Sequence, residues 1–333
     1  MSTPNGRKGR LRIARLIATS AAHMAAHDDP GKPLRKALGL LMARDRGESV
    51  AARAALSVEA QAVNVVRPLG EEGIGTGGPV CLLVSHAGDG RLWPHTLAYA
   101  RDLRTAGARV ILILATDRDD LRALDPGPDV ADALIVRENG GFDFAAWAHV
   151  LRLWPHLWQA PVLWFANDSA YHSGSALRAL AGRLSAPTAP VTALTAASLV
   201  RPHFQSYFFA LSGPALRSEA ARAFFADVQA LPDKNAVIGA YEMPLMDTLA
   251  AAGLTVDILY AGIGTGENPT LQDWRPLLEA GFPFVKVQLL RENPYGTDLA
   301  GWREGLTALG FALEDIQLHL GSNKIPAAAL LTP

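Results

Sequence analysis

One cysteine, Cys81, is the whole thiol content of this chain of 333 residues. No intramolecular disulfide can form, no thiolate cluster can hold a structural zinc, and a reducing compartment is the natural setting. Cys81 lies inside an apolar run and reads as a buried, inert thiol. Long hydrophobic runs are missing too. Val80 to Val84 and Val110 to Leu114 have the length of strands, well short of the roughly 18 residues that a membrane-spanning helix requires. The chain also lacks an excess of either charge, its net being -1, and no nucleic-acid partner is expected.

What is present is an ordinary globular composition, 49% hydrophobic and 19% charged, long enough for one large core or two smaller ones. The near-zero net charge hides an asymmetry. Residues 1 to 68 hold 12 Lys plus Arg against 5 acids, leaving 19 against 27 in the remainder. This front segment contains no Phe, Tyr or Trp. Its cations either contact an anionic membrane surface peripherally or simply solvate a helix face. Ile13, Leu16, Ile17, Ala21 and Met24 recur at helical spacing, Leu34 to Met42 follow as a second helix, and alanine-rich 49–63 suggests a third. Residues 1–68 are thus expected to be a basic helical preface, and Gly/Pro-rich 69–78 a linker.

From Pro79 onward short apolar runs alternate with amphipathic stretches. Strands are expected near 80–85, 109–115, 132–136, 161–166, 191–195, 204–211 and 254–259. Helices are expected near 91–106, 143–153, 174–184, 215–230, 240–252, 271–280 and 298–310. Such alternation implies an α/β domain over 79–333, a mostly parallel sheet covered by helices on both faces. Ligand sites in such sheets lie beyond the carboxyl ends of the strands.

Three motifs are decoys. The glycine run at 73–78 precedes a strand and leads into Pro79, whereas a dinucleotide fingerprint must sit between strand and helix. Gly262-Ile-Gly-Thr-Gly266 follows a strand, yet Glu267-Asn-Pro269 comes next where a pyrophosphate-binding helix would have to begin. Ser85, His86 and Asp89 suggest a hydrolase triad but lack the Gly-x-Ser-x-Gly elbow. Arg291 to Trp302 echoes residues 137 to 147 with one insertion, over too short a span to be a repeat.

Four segments carry chemistry at the ends of apolar runs. In Trp164-Phe-Ala-Asn167-Asp168-Ser169 a strand breaks into three oxygen-bearing side chains, which form either a ligand site or a helix cap. In Arg137-Glu-Asn139-Gly140-Gly141-Phe142-Asp143 a cation ends a strand, two glycines allow close backbone approach, and Asp143 either caps the next helix or binds a ligand. His203-Phe-Gln205-Ser206-Tyr207-Phe alternates polar and aromatic residues, the polar ones able to bond sugar hydroxyls. Gly281-Phe-Pro-Phe-Val-Lys286 ends in a lysine. His86, ending the first strand, is either a ligand contact or part of a polar turn.

In order and type these segments resemble the rhamnan synthesis protein F family, sugar transferases that assemble bacterial cell-surface polysaccharides. The family's Arg-x-Asn-x-Gly-x-Asp-x-x-x-Trp run is matched by Arg137, Asn139, Gly141, Asp143 and Trp147. Its Tyr-Glu pair is matched by Tyr241-Glu242, and its closing block by Glu267 to Thr270, Trp274 and Gly281 to Pro294. The resemblance covers about residues 79 to 296.

The resemblance implies a GT-A-like fold, a nucleotide-diphosphate donor carrying rhamnose or a related deoxyhexose, a glycan or lipid-linked acceptor, and single displacement with inversion. The sugar is inherited from the family name alone. Glu242 would be the base, with Asp247 in reserve. Asp168 would hold a divalent cation (Mg or Mn) or a ribose, and Arg137 would meet the diphosphate. His86 would contact the nucleobase, and Asn139 and Asp143 the sugar or ribose hydroxyls. Asn167 and Ser169 would add oxygen contacts, Gln205, Ser206 and Tyr207 would bond sugar, and Lys286 would neutralise the departing diphosphate. Only one carboxylate stands at 167–169, where related folds carry Asp-x-Asp. The competing class is therefore a non-catalytic glycan-binding or assembly module, with an α/β hydrolase a distant third. The expected place of action is the cytoplasm or the inner face of the membrane.

Overall fold

The computed structural model describes residues 55 to 332, apart from 73, 76, 199 and 323 to 326. The two helices expected before residue 43, and the membrane contact expected of the basic preface, fall on residues outside that set. No helix among the described residues is long and apolar enough to cross a membrane.

The strands that matter are β1 (Val63–Arg67), β2 (Val80–His86), β3 (Arg109–Thr116), β4 (Ala133–Glu138) and β5 (Val162–Asn167), followed by β6 (Ala170–His172), β7 (Val191–Ala193), β8 (Phe208–Ser212), β9 (Val256–Ile258) and β10 (Phe284–Lys286). Eight of them form one sheet in the order β9-β7-β8-β5-β2-β3-β4-β1. Pairing is parallel throughout except where β8 meets β5 and β7, and where β1 meets β4. The remaining two, β6 and β10, pair with each other in antiparallel fashion. This is the mostly parallel, helix-covered sheet that the alternation predicts.

The principal helices are α1 (Pro94–Thr105), α2 (Phe142–Leu153), α3 (Gly174–Ser185), α4 (Met243–Ala251), α5 (Val287–Glu292) and α6 (Leu313–Gly321). Period-two alternation on β2 sends Val80, Leu82 and Val84 toward the α2 face, and Cys81 and Leu83 toward α1 and α3. Both faces are therefore apolar, as a central parallel strand requires. Trp147 of α2 is fully buried, and its indole N–H donates to the Leu82 carbonyl at 3.1 Å. Replacing a buried tryptophan with alanine costs about 3–5 kcal/mol.

The third helix expected over 49–63 is not helical in its described part. Leu56–Ser57 pairs with Gln229–Ala230, Val58–Ala60 is a single 3-10 turn, and Val63 opens β1 on the sheet edge. The β-branched Val63, Val65 and Val66 favour that strand over the helix that the surrounding alanines suggested. The stretch expected to be a linker is packed, with Leu69 and Ile74 buried and the Arg109 guanidinium donating to the carbonyls of Gly70 and Glu72.

The strand expected over 204–211 is split. His203–Phe204 pairs with Ala196–Ala197, and β8 begins only at Phe208. Between them the Gln205 N–H bonds the Thr195 carbonyl and the Tyr207 carbonyl accepts from Asn167, which turns the chain out of the ladder. The helix expected over 215–230 ends at Ala226 and is interrupted at Ser218.

Candidate functional site

The chain runs from β2 outward to β3 and β4, then returns to place β5 on the other side of β2. Connections from β2 and β5 thus leave in opposite directions, and a crevice must open between their carboxyl ends. A cavity of about 800 Å³ lies there, lined among others by His86, Asn139, Asp143, Asn167, Asp168, Ser169, Gln205, Ser206, Tyr207, Glu242 and Lys286. Side chains from distant parts of the sequence therefore share one cleft. Of the site residues expected from the sequence, Arg137 and the reserve base Asp247 are missing from its walls.

Arg137 requires a correction. It is fully buried beneath the Gly140-Gly141 turn, donating to the Gly140 carbonyl at 3.0 Å and to the Gln61 side chain. Burial pulls its pKa down to about 10. Strand β4 directs the side chain at 137 inward, so the guanidinium buttresses the turn and cannot reach an anion in the cleft. Asp247, the reserve base, is also elsewhere: its carboxylate is exposed, paired with Arg201 at 2.8 Å, and does not line the cavity.

Asp168 stands immediately after β5. Its Oδ2 accepts from the Ser85 hydroxyl at 2.6 Å and from the His86 N–H at 3.3 Å, so the ends of β2 and β5 are tied through one carboxylate. Burial raises its pKa despite these bonds. Asn167 donates to Asp143 Oδ2 at 2.6 Å, and its own Oδ1 accepts from the N–H and hydroxyl of Ser169. Asp143 also accepts from the Phe144 N–H at 3.0 Å. Burial first, then the charge on Glu242, pushes the Asp143 carboxyl up.

Glu242 closes a π-helical turn, Ile238–Glu242, that leads into α4. Pro244 has no N–H to give the Ala240 carbonyl, and helices widen at such points, frequently beside functional sites. The Glu242 carboxylate takes hydrogen bonds from the Ser206 N–H at 3.2 Å and from the Ser206 hydroxyl, and it lies 3.6 Å from His203 Nε2. Burial opposes its ionisation, but His203, Ser206 and the nearby Lys286 more than offset that and hold it below the usual carboxylate range. Burial likewise opposes the charged form of His203, yet the pairing with Glu242 and a bond to the Arg201 carbonyl raise its pKa.

Lys286, ending β10, donates to the Ser169 hydroxyl at 2.9 Å and stands 4.3 Å above the Tyr207 ring. Tyr207 and Gln205 form wall, their polar atoms joined in a buried network with Thr195, Asn268 and Thr270. At the rim Asn139 donates to Asp117 at 2.7 Å and lies 3.1 Å from His86 Nε2.

Sequence reasoning missed four partners. Ser85 and His203 sit inside quoted motifs but gave no sign of which carboxylate each would face. Arg291 and His319, 3.1 Å apart on the cleft wall, come from α5 and α6, and only the tertiary fold brings them together.

The residues around Asp168 do not fit a resident divalent ion. Among the described residues no three His, Cys, Asp or Glu side chains gather as a ligand set. One Asp168 oxygen is committed to Ser85 and His86, and the flanking Ser169 hydroxyl faces the Lys286 ammonium instead of a metal.

Fold and cleft together define an α/β protein with an eight-stranded, largely parallel sheet and a polar cavity at its strand ends. No family model matches the chain. Two proteins of Vibrio anguillarum, both described as Virulence protein VirA, are 26% identical to it over 201 residues, covering 50% of this chain and 64% of theirs. The match thus spans under two thirds of those relatives.

Proposed function

We propose that this chain is a GT-A-like glycosyltransferase of the rhamnan synthesis protein F type, moving a sugar from a nucleotide diphosphate to a glycan or lipid-linked acceptor. The observation that supports this reading is the convergence of Asp168, Glu242 and Lys286 on one cavity of about 800 Å³ at the carboxyl ends of β2 and β5. A single reversed strand, β8, inside an otherwise parallel central sheet fits the same fold. The Vibrio relatives' description names no reaction, and the reading rests on the cleft.

In the mechanism, Glu242 takes the proton of the acceptor hydroxyl as that oxygen bonds to the anomeric carbon. The bond from that carbon to the diphosphate oxygen breaks, and the electron pair leaves with the diphosphate. Held ionised by His203 and Ser206, Glu242 is available as base at neutral pH. Negative charge growing on the leaving group meets Lys286 and Arg291, the role that Arg137 cannot fill. Asp168 orders the backbone at His86 and offers its remaining oxygen to donor hydroxyls.

One observation favours the second reading, a glycan-binding module without turnover: Asn167 and Ser169 flank the sole carboxylate at the end of β5. Release of nucleoside diphosphate from a panel of nucleotide sugars, with and without manganese and acceptor, separates the two. Turnover without manganese supports the transferase with a lysine-based site. Binding of glycan with no release from any donor supports the module.

A further inference from the structure

Two features of the described residues intersect at one position. Eight large hydrophobic side chains are exposed, and of these Phe142 alone is aromatic and alone lines the cleft, with 40% of its surface accessible. Three residues other than glycine have positive φ, and Phe142 is one of them, at 57°. A bulky side chain in the left-handed region is strained. Such strain persists only where the surroundings impose it, and it gathers at binding sites.

The surroundings do impose it here. Gly141, at φ 72°, is pressed so closely on the strand at Gln229–Ala230 that a Cβ there would lie 2.6 Å from the Ala230 Cα. The Gly140 carbonyl is fixed by Arg137. On the other side the Phe144 ring packs on Trp147 in the core, and Asp143 is tied to Asn167. Phe142 is held between two anchored neighbours, and it lines the cleft with part of its surface exposed. None of the aromatic pairs among the described residues includes it, unlike Phe144, which has three ring partners. Core packing therefore does not account for an aromatic residue at this position, where glycine would fit the backbone without strain.

We propose that Phe142 is the stacking platform of the cleft, covering the flat face of a ring in the nucleotide-sugar donor, and that the strained backbone presents it. This rests on the transferase reading above. The ring is either the nucleobase or the pyranose, since both offer a face to an aromatic side chain, and the test separates them. Stacking of a base on an aromatic residue corresponds to roughly 5- to 150-fold in affinity.

The experiment compares the full chain with Phe142→Gly, Phe142→Ala and Phe142→Tyr by isothermal titration and thermal melting. The probes are the uridine, thymidine and guanosine diphosphates, each alone and carrying rhamnose or glucose. Phe142→Gly and Phe142→Ala are expected to lose about ten-fold or more in affinity for the ligand that the wild type binds, while Phe142→Tyr retains it. Phe142→Gly should melt higher than Phe142→Ala, by about 2 °C or more, because only glycine accepts the positive φ without strain. Loss with the bare diphosphates identifies the base as the stacked ring, and loss only with the sugar-bearing forms identifies the pyranose. Unchanged affinity in both truncated variants overturns the proposal and leaves the transferase reading standing. A wild-type chain that binds no member of the panel overturns both.

Discussion

Lys286 donates to the Ser169 hydroxyl across 2.9 Å, joining the end of β10 to the turn after β5 although 117 residues separate the two in sequence. That contact holds an ammonium at the turn after β5, and its charge helps to keep Glu242 below the usual carboxylate range.

Removing that ammonium should slow the reaction more than it weakens substrate binding. Lys286→Met is expected to lower kcat by about 10²–10³, the range seen when one stabiliser of developing charge is deleted, and Lys286→Arg to retain part of the rate. Steady-state kinetics with the active donor checks this, and an unaltered kcat in Lys286→Met would remove lysine from the mechanism.

Glu242→Gln keeps the size of the side chain but cannot accept a proton. Turnover should fall by about 10²–10⁴ with little change in nucleoside diphosphate affinity. Asp247→Asn, on the exposed Arg201 pair outside the cavity, should leave turnover close to wild type. The reverse pattern would transfer the base to Asp247.

The Glu242–His203 pair also predicts a pH window for stability. Glu242 is depressed below its usual 4.5, so its contribution is present above that value and is lost as pH falls through the folded pKa. His203 is raised above its usual 6.5, so its contribution is present below that value and is lost as pH rises through the folded pKa. Both hold together between 4.5 and 6.5. The stability advantage of wild type over Glu242→Gln, about 1.5–3 kcal/mol for a hydrogen bond to a charged group, should peak in that interval. Denaturation with urea across a pH range spanning that interval would show the peak, and a flat difference would contradict the pairing.

Arg137 should matter to the fold and not to the ligand. Arg137→Met leaves the Gly140 carbonyl and the Gln61 side chain without their donor, at a cost of about 1–3 kcal/mol for each orphaned acceptor. Urea unfolding should show the loss while titration with nucleoside diphosphate stays close to wild type. An intact fold with abolished binding would return Arg137 to the cleft.

Much of the eight-stranded sheet was legible because its strands are short apolar runs with period-two faces, bounded by glycine and proline. Val80–His86 and Arg109–Thr116 match the expected spans closely. The edge strand at 63–67 was not, since alanines upstream mimic a helix and the pairing partner lies far along the chain, at 134–137. The cleft was legible in its residue types, because polar side chains at strand ends stand out against apolar runs. Side-chain direction was not. Whether Arg137 points to the cleft or beneath a turn depends on the strand's phase relative to the sheet, and a one-residue change in that phase reverses the answer. The π-turn before Pro244 likewise has no local signature beyond the proline, yet it is what brings Glu242 to Ser206.

The two margins of the sheet differ from its interior in a way that bears on self-association. On one side β1 is irregular between Val65 and Arg67 and ends in a guanidinium bound to Asp125, and on the other β9 is only three residues long. Neither offers the long, flat row of unpaired amides and carbonyls that templates growth by an incoming strand. Crowding or partial unfolding at these borders therefore gives the described residues of this sheet little purchase for fibrous stacking.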